Sequence, residues 1–106
     1  MNKEKKTILV TGCAGFIGFH ISLYFLKLNY HVIGVDNLND YYDIKLKKDR
    51  LRELKKTSTK EKKKFNFFSY DLREYKKIQF LFTKYKFKKV IHLAAQAGVR
   101  YSLKNP

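Results

Sequence analysis

The sequence predicts an α/β domain built on a parallel sheet, and three observations support this prediction. Four short apolar segments, rich in β-branched residues, alternate with three longer segments of helical character, a pattern typical of parallel strands joined by helical crossovers. Three glycines at a fixed spacing lie where the first strand passes into the first helix. The 106 residues are 44% hydrophobic, enough for one packed core but not for two.

The first strand and helix follow from nearly continuous apolar runs. Residues 7–11 are short and β-branched, as expected for a strand buried on both faces. Residues 16–28 leave almost no polar face, which predicts a helix buried on most of its sides. His20 in this helix is interpreted as a packing residue, as is His92 in the fourth strand.

Periodicity and turn residues predict the later elements. They are a strand at 31–35, a surface helix from Asp43 to about residue 57 with a narrow stripe of Ile44, Leu46, Leu51 and Leu54, a solvated connector at 57–64, a strand at 65–70, a helix at 73–85 and a strand at 89–93. The strand order 3-2-1-4 follows from right-handed crossovers. The prediction is a partial Rossmann fold that stops before a fifth strand.

The glycine turn has the composition of a pyrophosphate site. Unpaired amides and the dipole at a helix N-terminus attract an anion, provided that no side chain blocks its approach. By analogy with known glycine roles, Gly12 permits the tight turn, Gly15 admits the phosphates and Gly18 allows close helix packing. The spacing is one residue longer than the usual G-x-G-x-x-G. The alternative is a glycine-rich turn that binds nothing.

Asp36 ends the second strand at the position where an acid accepts hydrogen bonds from an adenosine ribose. A carboxylate there repels a 2′-phosphate, so the expected cofactor is NAD and not NADP. The alternative is an aspartate that only ends a strand. Asp71 and Ala94-Ala95 follow the third and fourth strands, and we expect them at the same edge of the sheet as Asp36 and the glycines.

Composition limits the other functions. The net charge of +15 permits nucleic-acid binding, but no recognition motif accompanies it, and a bias toward A/T-rich codons is a sufficient cause of the lysines. Cys13 is the only cysteine, so neither an intrachain disulfide nor a cysteine metal site is expected. Cys13 is interpreted as a small residue that fills space in a loop, and the alternative is a reactive thiol. Without an apolar run of membrane-spanning length, the chain is expected in the cytoplasm, with no membrane partner.

At this point the motifs resemble a known family. The sequences T-G-x-x-G-F-I-G at 11–18, D-N-L at 36–38, D-L at 71–72 and H-L-A-A at 92–95 resemble the extended short-chain dehydrogenase/reductases. The segments 36–43 and 94–102 look more narrowly like UDP-glucuronate 4-epimerases. The resemblance implies a dimeric enzyme of nucleotide-sugar metabolism and polysaccharide biosynthesis, which uses NAD to convert UDP-glucuronate to UDP-galacturonate.

The resemblance also implies roles for individual residues. It assigns the pyrophosphate to the amides of Phe16 and Ile17, and the ribose to Asp36 with Asn37 and Asn39 nearby. Cofactor contacts are further implied for Lys47, Asp71, Leu72, Leu93, Ala94 and Ala95. Gln96 and Arg100 are implied on the nicotinamide and sugar-nucleotide side, although Arg100 is equally well explained as a solvated loop residue.

The catalytic Tyr-x-x-x-Lys pair of the family lies beyond the fourth strand, outside residues 1–106. Tyr41 with Lys45, and Tyr85 with Lys89, match the spacing, but so many tyrosines and lysines produce such matches by accident. The chain is therefore expected to be the NAD-binding N-terminal portion of such an epimerase, without its substrate domain and inactive alone. A free-standing nucleotide-binding module and a basic nucleic-acid binder remain as alternatives. An open fourth strand predicts marginal stability or self-association.

Overall fold

The four predicted strands form one parallel sheet in a computed structural model that describes residues 6–38 and 44–93. The elements are β1 (Thr7–Thr11), α1 (Phe16–Lys27), β2 (His31–Val35), α2 (Ile44–Lys60), β3 (Phe65–Phe68), α3 (Tyr75–Lys84) and β4 (Phe87–His92). All strand pairs are parallel, and the order β3-β2-β1-β4 confirms the prediction. No helix among these residues is long and apolar enough to cross a membrane.

Several element boundaries differ from the prediction. Helix α2 extends to Lys60 because Ser58 turns into the core and its hydroxyl donates to the carbonyl of Lys55. The first part of the predicted connector is therefore helical, and the helix ends where Lys62 adopts a φ of 56°. Strand β3 and helix α3 are shorter than predicted, and β4 begins two residues earlier than predicted, at Phe87.

The sheet separates two apolar clusters. Ile8 and Val10 of β1 face the side covered by α1 and α2, where Leu26 and Leu54 are buried. Leu9 faces the other side, where α3 is the one helix within residues 6–38 and 44–93. This division follows from the strand period of two residues. It confirms that the first two helices lie on one face of the sheet.

Helix α1 is not buried on most sides, so that prediction is wrong. It packs through Gly18, Ser22 and Leu26, whereas Phe16 is 65% exposed and Tyr24 is 60% exposed. A helix on a sheet contacts its support along one stripe, so an entirely apolar helix keeps apolar residues on its outer face. His20 is also exposed and makes edge-on ring contacts at 4.8 Å and 5.1 Å within its own helix, which corrects its interpretation as a packing residue.

Strand β4 forms one border of the sheet. Within the described ranges it pairs with β1 alone, and Val90 on the face shared with α3 is 49% exposed. An unpaired apolar border of this kind invites contact with another chain. The structure thus contains the open strand on which the expectation of self-association rests.

Ser22 supplies a first test of the packing. Its hydroxyl is fully buried on α1 and has no hydrogen-bond partner among the described residues. Because an unsatisfied buried hydroxyl costs about 1–3 kcal/mol, we expect Ser22→Ala to raise the free energy of unfolding by about 1 kcal/mol. Urea unfolding followed by circular dichroism measures the change. A destabilised Ser22→Ala protein would show that the Ser22 hydroxyl does have a hydrogen-bond partner in the folded chain.

Candidate nucleotide-binding site

The segments that follow the four strands meet at the carboxyl edge of the sheet. Gly12 follows β1, Asp36 follows β2 and Leu93 follows β4. Asp71 lies three residues after β3. In an open parallel sheet this edge is the usual place for a ligand, at the point where the strand order reverses. Here that point lies between β1 and β4.

The turn after β1 is anchored to the end of β2. Gly12 has a φ of 74°, a left-handed conformation that glycine adopts without strain. Its amide donates to the Val35 carbonyl at 2.7 Å, and the Gly15 amide donates to the Gly12 carbonyl at 3.1 Å. The predicted role of Gly12 in forming the tight turn is thereby confirmed.

Close packing explains two other glycines. A Cβ on Gly18 would overlap the carbonyl of Gly12 and lie 2.8 Å from its carbon. Gly34 in β2, which no sequence motif indicated, leaves room for Cys13, because a Cβ there would lie 2.6 Å from the Cys13 sulfur.

Burial raises the pKa of the Cys13 thiol well above its usual range, with a further contribution from the negative charge of Asp36. A thiol held in this protonated form is a filling group and not a nucleophile.

The first turn of α1 presents free donors. The first helical bond runs from the Phe19 amide to the Gly15 carbonyl at 2.9 Å, and no side chain in the described ranges caps the N-terminus. The amides of Phe16, Ile17 and Gly18 donate to no acceptor among the described residues. A Cβ on Gly15 would lie 3.4 Å from the Gly12 carbonyl oxygen, an ordinary van der Waals contact. Three free amides beside a glycine fit a pyrophosphate group.

Asp36 is held by a network of three donors. Its Oδ2 accepts from the Ala14 amide at 3.1 Å, and its Oδ1 accepts from the Leu38 amide and from Lys47 Nζ, both at 3.0 Å. The Asp36 side chain is 5% exposed and that of Lys47 is 12% exposed. A carboxylate offers about four acceptor positions, so the donors among the described residues leave one position on Oδ2 for a ligand hydroxyl.

The turn after β2 is strained at Leu38. This residue has a φ of 51°, a left-handed conformation that costs a branched side chain free energy. The hydrogen bond from its amide to Asp36 stabilises the conformation. The same carboxylate therefore shapes both the glycine turn and the segment that follows β2.

Asp71 approaches the same edge with Asn37 as a neighbour. The side chain of Asn37 hydrogen-bonds to Asp71. Arg73 donates to Asp71 from its guanidinium at 2.7 Å and from its backbone amide at 2.8 Å. The hydrogen bonds from Arg73, above all those of its side chain, hold the pKa of the Asp71 carboxyl well below its usual range.

We expect Arg73→Gln to raise the pKa of Asp71 toward its ordinary value of about 3.9. Because the folded-state pKa is depressed, the stability contributed by Asp71 is present above the unfolded-state pKa and is lost as the pH falls. In Arg73→Gln this acid-dependent part of the stability shrinks. Carboxyl-carbon NMR titration measures the pKa, with Arg52→Gln as the control. An unchanged Asp71 titration would contradict the ion pair.

Hydrogen bonds join the ends of β1 and β4 at the carboxyl edge of the sheet. The Leu93 amide donates to the Thr11 carbonyl at 3.1 Å and to the Thr11 hydroxyl oxygen at 3.0 Å. That hydroxyl also lies 2.8 Å from His92 Nδ1. His92 is exposed and hydrogen-bonded at this edge, so its interpretation as a packing residue is wrong. Strand side chains alternate between the two faces of a sheet. In the part of the chain that the structure describes, β4 has a neighbouring strand on one side only, and alternation alone does not bury the side chains of such an edge strand.

The predicted site residues fall into two groups, and Tyr41 and Tyr85, which belong to the accidental Tyr-x-x-x-Lys matches, are not among them. The structure brings the glycine turn, Asp36, Asn37, Lys47 and Asp71 to one edge, with Leu72 half-buried against the α3 cluster and Leu93 on the β4 side. Asn39, Ala94, Ala95, Gln96 and Arg100 lie outside the described residues, as does Tyr41. Tyr85 contacts the ring of His31, the first residue of β2, and thus lies at the opposite end of the sheet.

Sequence reasoning missed Arg50, which donates from Nη1 to the Ala14 carbonyl at 3.0 Å. The available signal was its spacing from Lys47. Residues three apart share one face of a helix, and α2 brings Lys47 to Asp36 after β2 and Arg50 to the turn between β1 and α1.

The strand order, the glycine turn and the acidic residue after β2 define a Rossmann-type α/β protein. Residues 9–106 match the model of the GDP-mannose 4,6-dehydratase family. The chain belongs to this family, which bears out its resemblance to the extended short-chain dehydrogenase/reductases and their nucleotide-sugar epimerases.

Curated relatives of the chain include a UDP-glucuronate 4-epimerase. The chain is 49% identical over 98 residues to a UDP-glucuronate 4-epimerase of Thermodesulfobacterium geofontis, covering 92% of this chain and 29% of that protein. It is 44% identical to Protein CapI of Staphylococcus aureus, covering 93% of this chain and 28% of that protein. The chain thus spans less than a third of the length of these relatives.

Solved structures of 4-epimerases superimpose on this chain. A UDP-Glc/GlcNAc 4-epimerase of Campylobacter jejuni superimposes with a TM-score of 0.72 at 33% identity, over 95% of this chain and 28% of that one. A UDP-glucose 4-epimerase of Bifidobacterium longum, in complex with NAD⁺ and UDP, superimposes with a TM-score of 0.68 at 26% identity, over 93% of this chain and 28% of that one.

Proposed function

We propose that this chain binds NAD at the carboxyl edge of its sheet, as the cofactor-binding portion of a nucleotide-sugar 4-epimerase of the UDP-glucuronate type. The observation that carries the proposal is the pairing of two features. Free amides at the start of α1 meet the two phosphates, and Asp36, held by the Ala14 amide, offers an acceptor position to the ribose. The NAD⁺ complex of the Bifidobacterium longum enzyme supports this assignment.

Different residues of the site bind different parts of NAD. The amides of Phe16 and Ile17 hold the pyrophosphate, Asp36 and Lys47 hold the adenosine ribose, and Asn37 and Asp71 border the adenine side. A carboxylate at this position disfavours a 2′-phosphate, so the proposal is NAD and not NADP. When bound, NAD takes up and returns the two electrons that epimerisation of a sugar alcohol requires.

Calorimetric titration with NAD⁺ tests the binding proposal. We expect saturable binding that Asp36→Asn weakens by at least about tenfold, because the variant loses a charged hydrogen-bond acceptor. Asp49→Asn makes the same charge change at an exposed site on α2 and is expected to bind like the wild type. Absence of saturable NAD⁺ binding by the folded wild-type chain would overturn the proposal.

Nucleic-acid binding is tested by the same pair of variants. An affinity that rests on the net charge of +15 falls steeply with salt. It would respond equally to Asp36→Asn and Asp49→Asn, since each removes one negative charge. NAD⁺ binding responds to the Asp36 substitution alone.

The sugar chemistry is proposed for a protein of the relatives' length and not for residues 1–106 alone. Tyr85, which matches the Tyr-x-x-x-Lys spacing, contacts His31 at the end of the sheet opposite the proposed site. We expect no turnover of UDP-glucuronate by the 106-residue chain, measured by chromatography of the UDP-sugars. Gln96 and Arg100 are the proposed contacts to the sugar nucleotide in such a protein.

A further inference from the structure

We propose that Arg50 is a positioning residue for the phosphate-binding turn. It engages the Ala14 carbonyl and thereby keeps the Gly18 amide available to the ligand. The proposal rests on the proposed function, since the ligand is the pyrophosphate of NAD. It adds a second residue from α2, beside Lys47, to a site otherwise formed by the β1–α1 turn and the ends of the strands.

Two charged side chains hold consecutive peptide groups of the turn. The Ala14 amide donates to Asp36 Oδ2 at 3.1 Å, and Arg50 Nη1 donates to the Ala14 carbonyl at 3.0 Å. These groups belong to the two peptide planes on either side of the Ala14 Cα. Both backbone dihedrals of Ala14 are therefore restrained, and with them the direction in which the following amides point.

Without Arg50, the Ala14 carbonyl would accept a hydrogen bond from the Gly18 amide, and that amide would then be lost to the ligand. In a helix the amide of residue i donates to the carbonyl of residue i−4, which makes Ala14 the natural acceptor for Gly18. The first helical bond instead joins Phe19 to Gly15. A carbonyl oxygen can accept two hydrogen bonds, so Arg50 acts through direction. With the Ala14 carbonyl held by Arg50 and Gly15 extended at a ψ of 172°, the helix does not extend backward to Ala14, and the Gly18 amide stays free beside those of Phe16 and Ile17.

Arg50 is itself oriented by its surroundings. Its guanidinium carbon lies 5.9 Å from the centre of the Phe16 ring, within cation–π range. Lys47, one helical turn earlier on α2, is fixed by Asp36. The guanidinium also adds positive charge beside a carbonyl oxygen that would repel an approaching phosphate.

NMR titration of the ¹⁵N-labelled chain with NAD⁺, ADP-ribose and adenosine tests the inference. We expect Arg50→Met to weaken NAD⁺ and ADP-ribose by about tenfold, the effect of losing one charged hydrogen bond. Adenosine, which lacks phosphates, is expected to bind Arg50→Met and wild type equally. Arg50→Lys, which keeps the charge and a donor, should restore most of the affinity. Arg52→Met, a change on the exposed side of the same helix, is the control.

The Gly18 amide supplies a readout that needs no ligand. Its proton shift is expected to depend steeply on temperature in the wild type, as for a free amide, and less so in Arg50→Met, where Ala14 becomes its acceptor. A hydrogen-bonded Gly18 amide in the wild type would overturn the inference even if Arg50→Met failed to fold. So would unchanged NAD⁺ affinity in Arg50→Met, or an equal loss of adenosine. Failure of the wild type to bind NAD⁺ would instead overturn the proposed function.

Discussion

Gly18→Ala is expected to lower the free energy of unfolding by about 3 kcal/mol, near the upper end of the cost of overpacking. The added Cβ would overlap the Gly12 carbonyl, a backbone group that cannot turn aside as a flexible side chain would. Helix propensity acts in the opposite direction, since alanine exceeds glycine by about 1 kcal/mol in a helix interior. Urea unfolding therefore reports which effect is larger.

Gly15→Ala is the matched control for this experiment. A Cβ there would meet the Gly12 carbonyl oxygen at 3.4 Å, and Gly15 has an extended conformation that alanine also adopts. We expect its stability to lie within about 1 kcal/mol of the wild type. Stabilisation by Gly18→Ala would show that α1 lies farther from the turn than the structure places it.

Lys47→Met is expected to destabilise the fold by about 3 kcal/mol, because it leaves a buried carboxylate without its counter-charge. Asp36 keeps its two amide donors, so the loss lies at the lower end of the range for breaking a buried ion pair. Adding Asp36→Asn in the same chain removes the unpaired charge. We expect the double variant to recover part of the lost stability, which a double-mutant cycle measures as a coupling free energy.

Lys45→Met tests whether burial is the cause. Lys45 is on the same helix and also pairs with an aspartate, at 3.5 Å, but its side chain is 82% exposed. Exposed pairs of this spacing contribute about 0.5 kcal/mol or less, so a small effect is expected. Equal losses in Lys45→Met and Lys47→Met would show that the Asp36–Lys47 pair is not buried.

The sequence predicted a structural element well where the residues of that element alone determine its conformation. The run 7–11 formed β1 as predicted, and Gly12 adopted the positive φ that the turn demands. Helix α2 is longer than predicted because Ser58 is buried in the core and its hydroxyl donates to the Lys55 carbonyl. That stabilisation depends on what packs against the helix, which periodicity does not contain.

The site divides in the same way. The glycine spacing and Asp36 were recognisable because a phosphate turn requires residue types in a fixed order along one βαβ unit. Arg50 was missed, although its spacing from Lys47 was visible, because its partner is a backbone carbonyl 36 positions away. Any arginine on α2 has the same local appearance until the helix is packed on the sheet.

By itself, the sequence determined the alternation of strands and helices, the strand order and the position of the glycine turn, because these follow from residue periodicity, glycine conformation and crossover handedness. Only the tertiary structure decided which side of the apolar helix α1 is buried, and that Lys47 and Arg50 converge on Asp36 and Ala14. The physical reason is distance along the chain, since burial and ion pairing depend on neighbours that the sequence separates and the fold brings together.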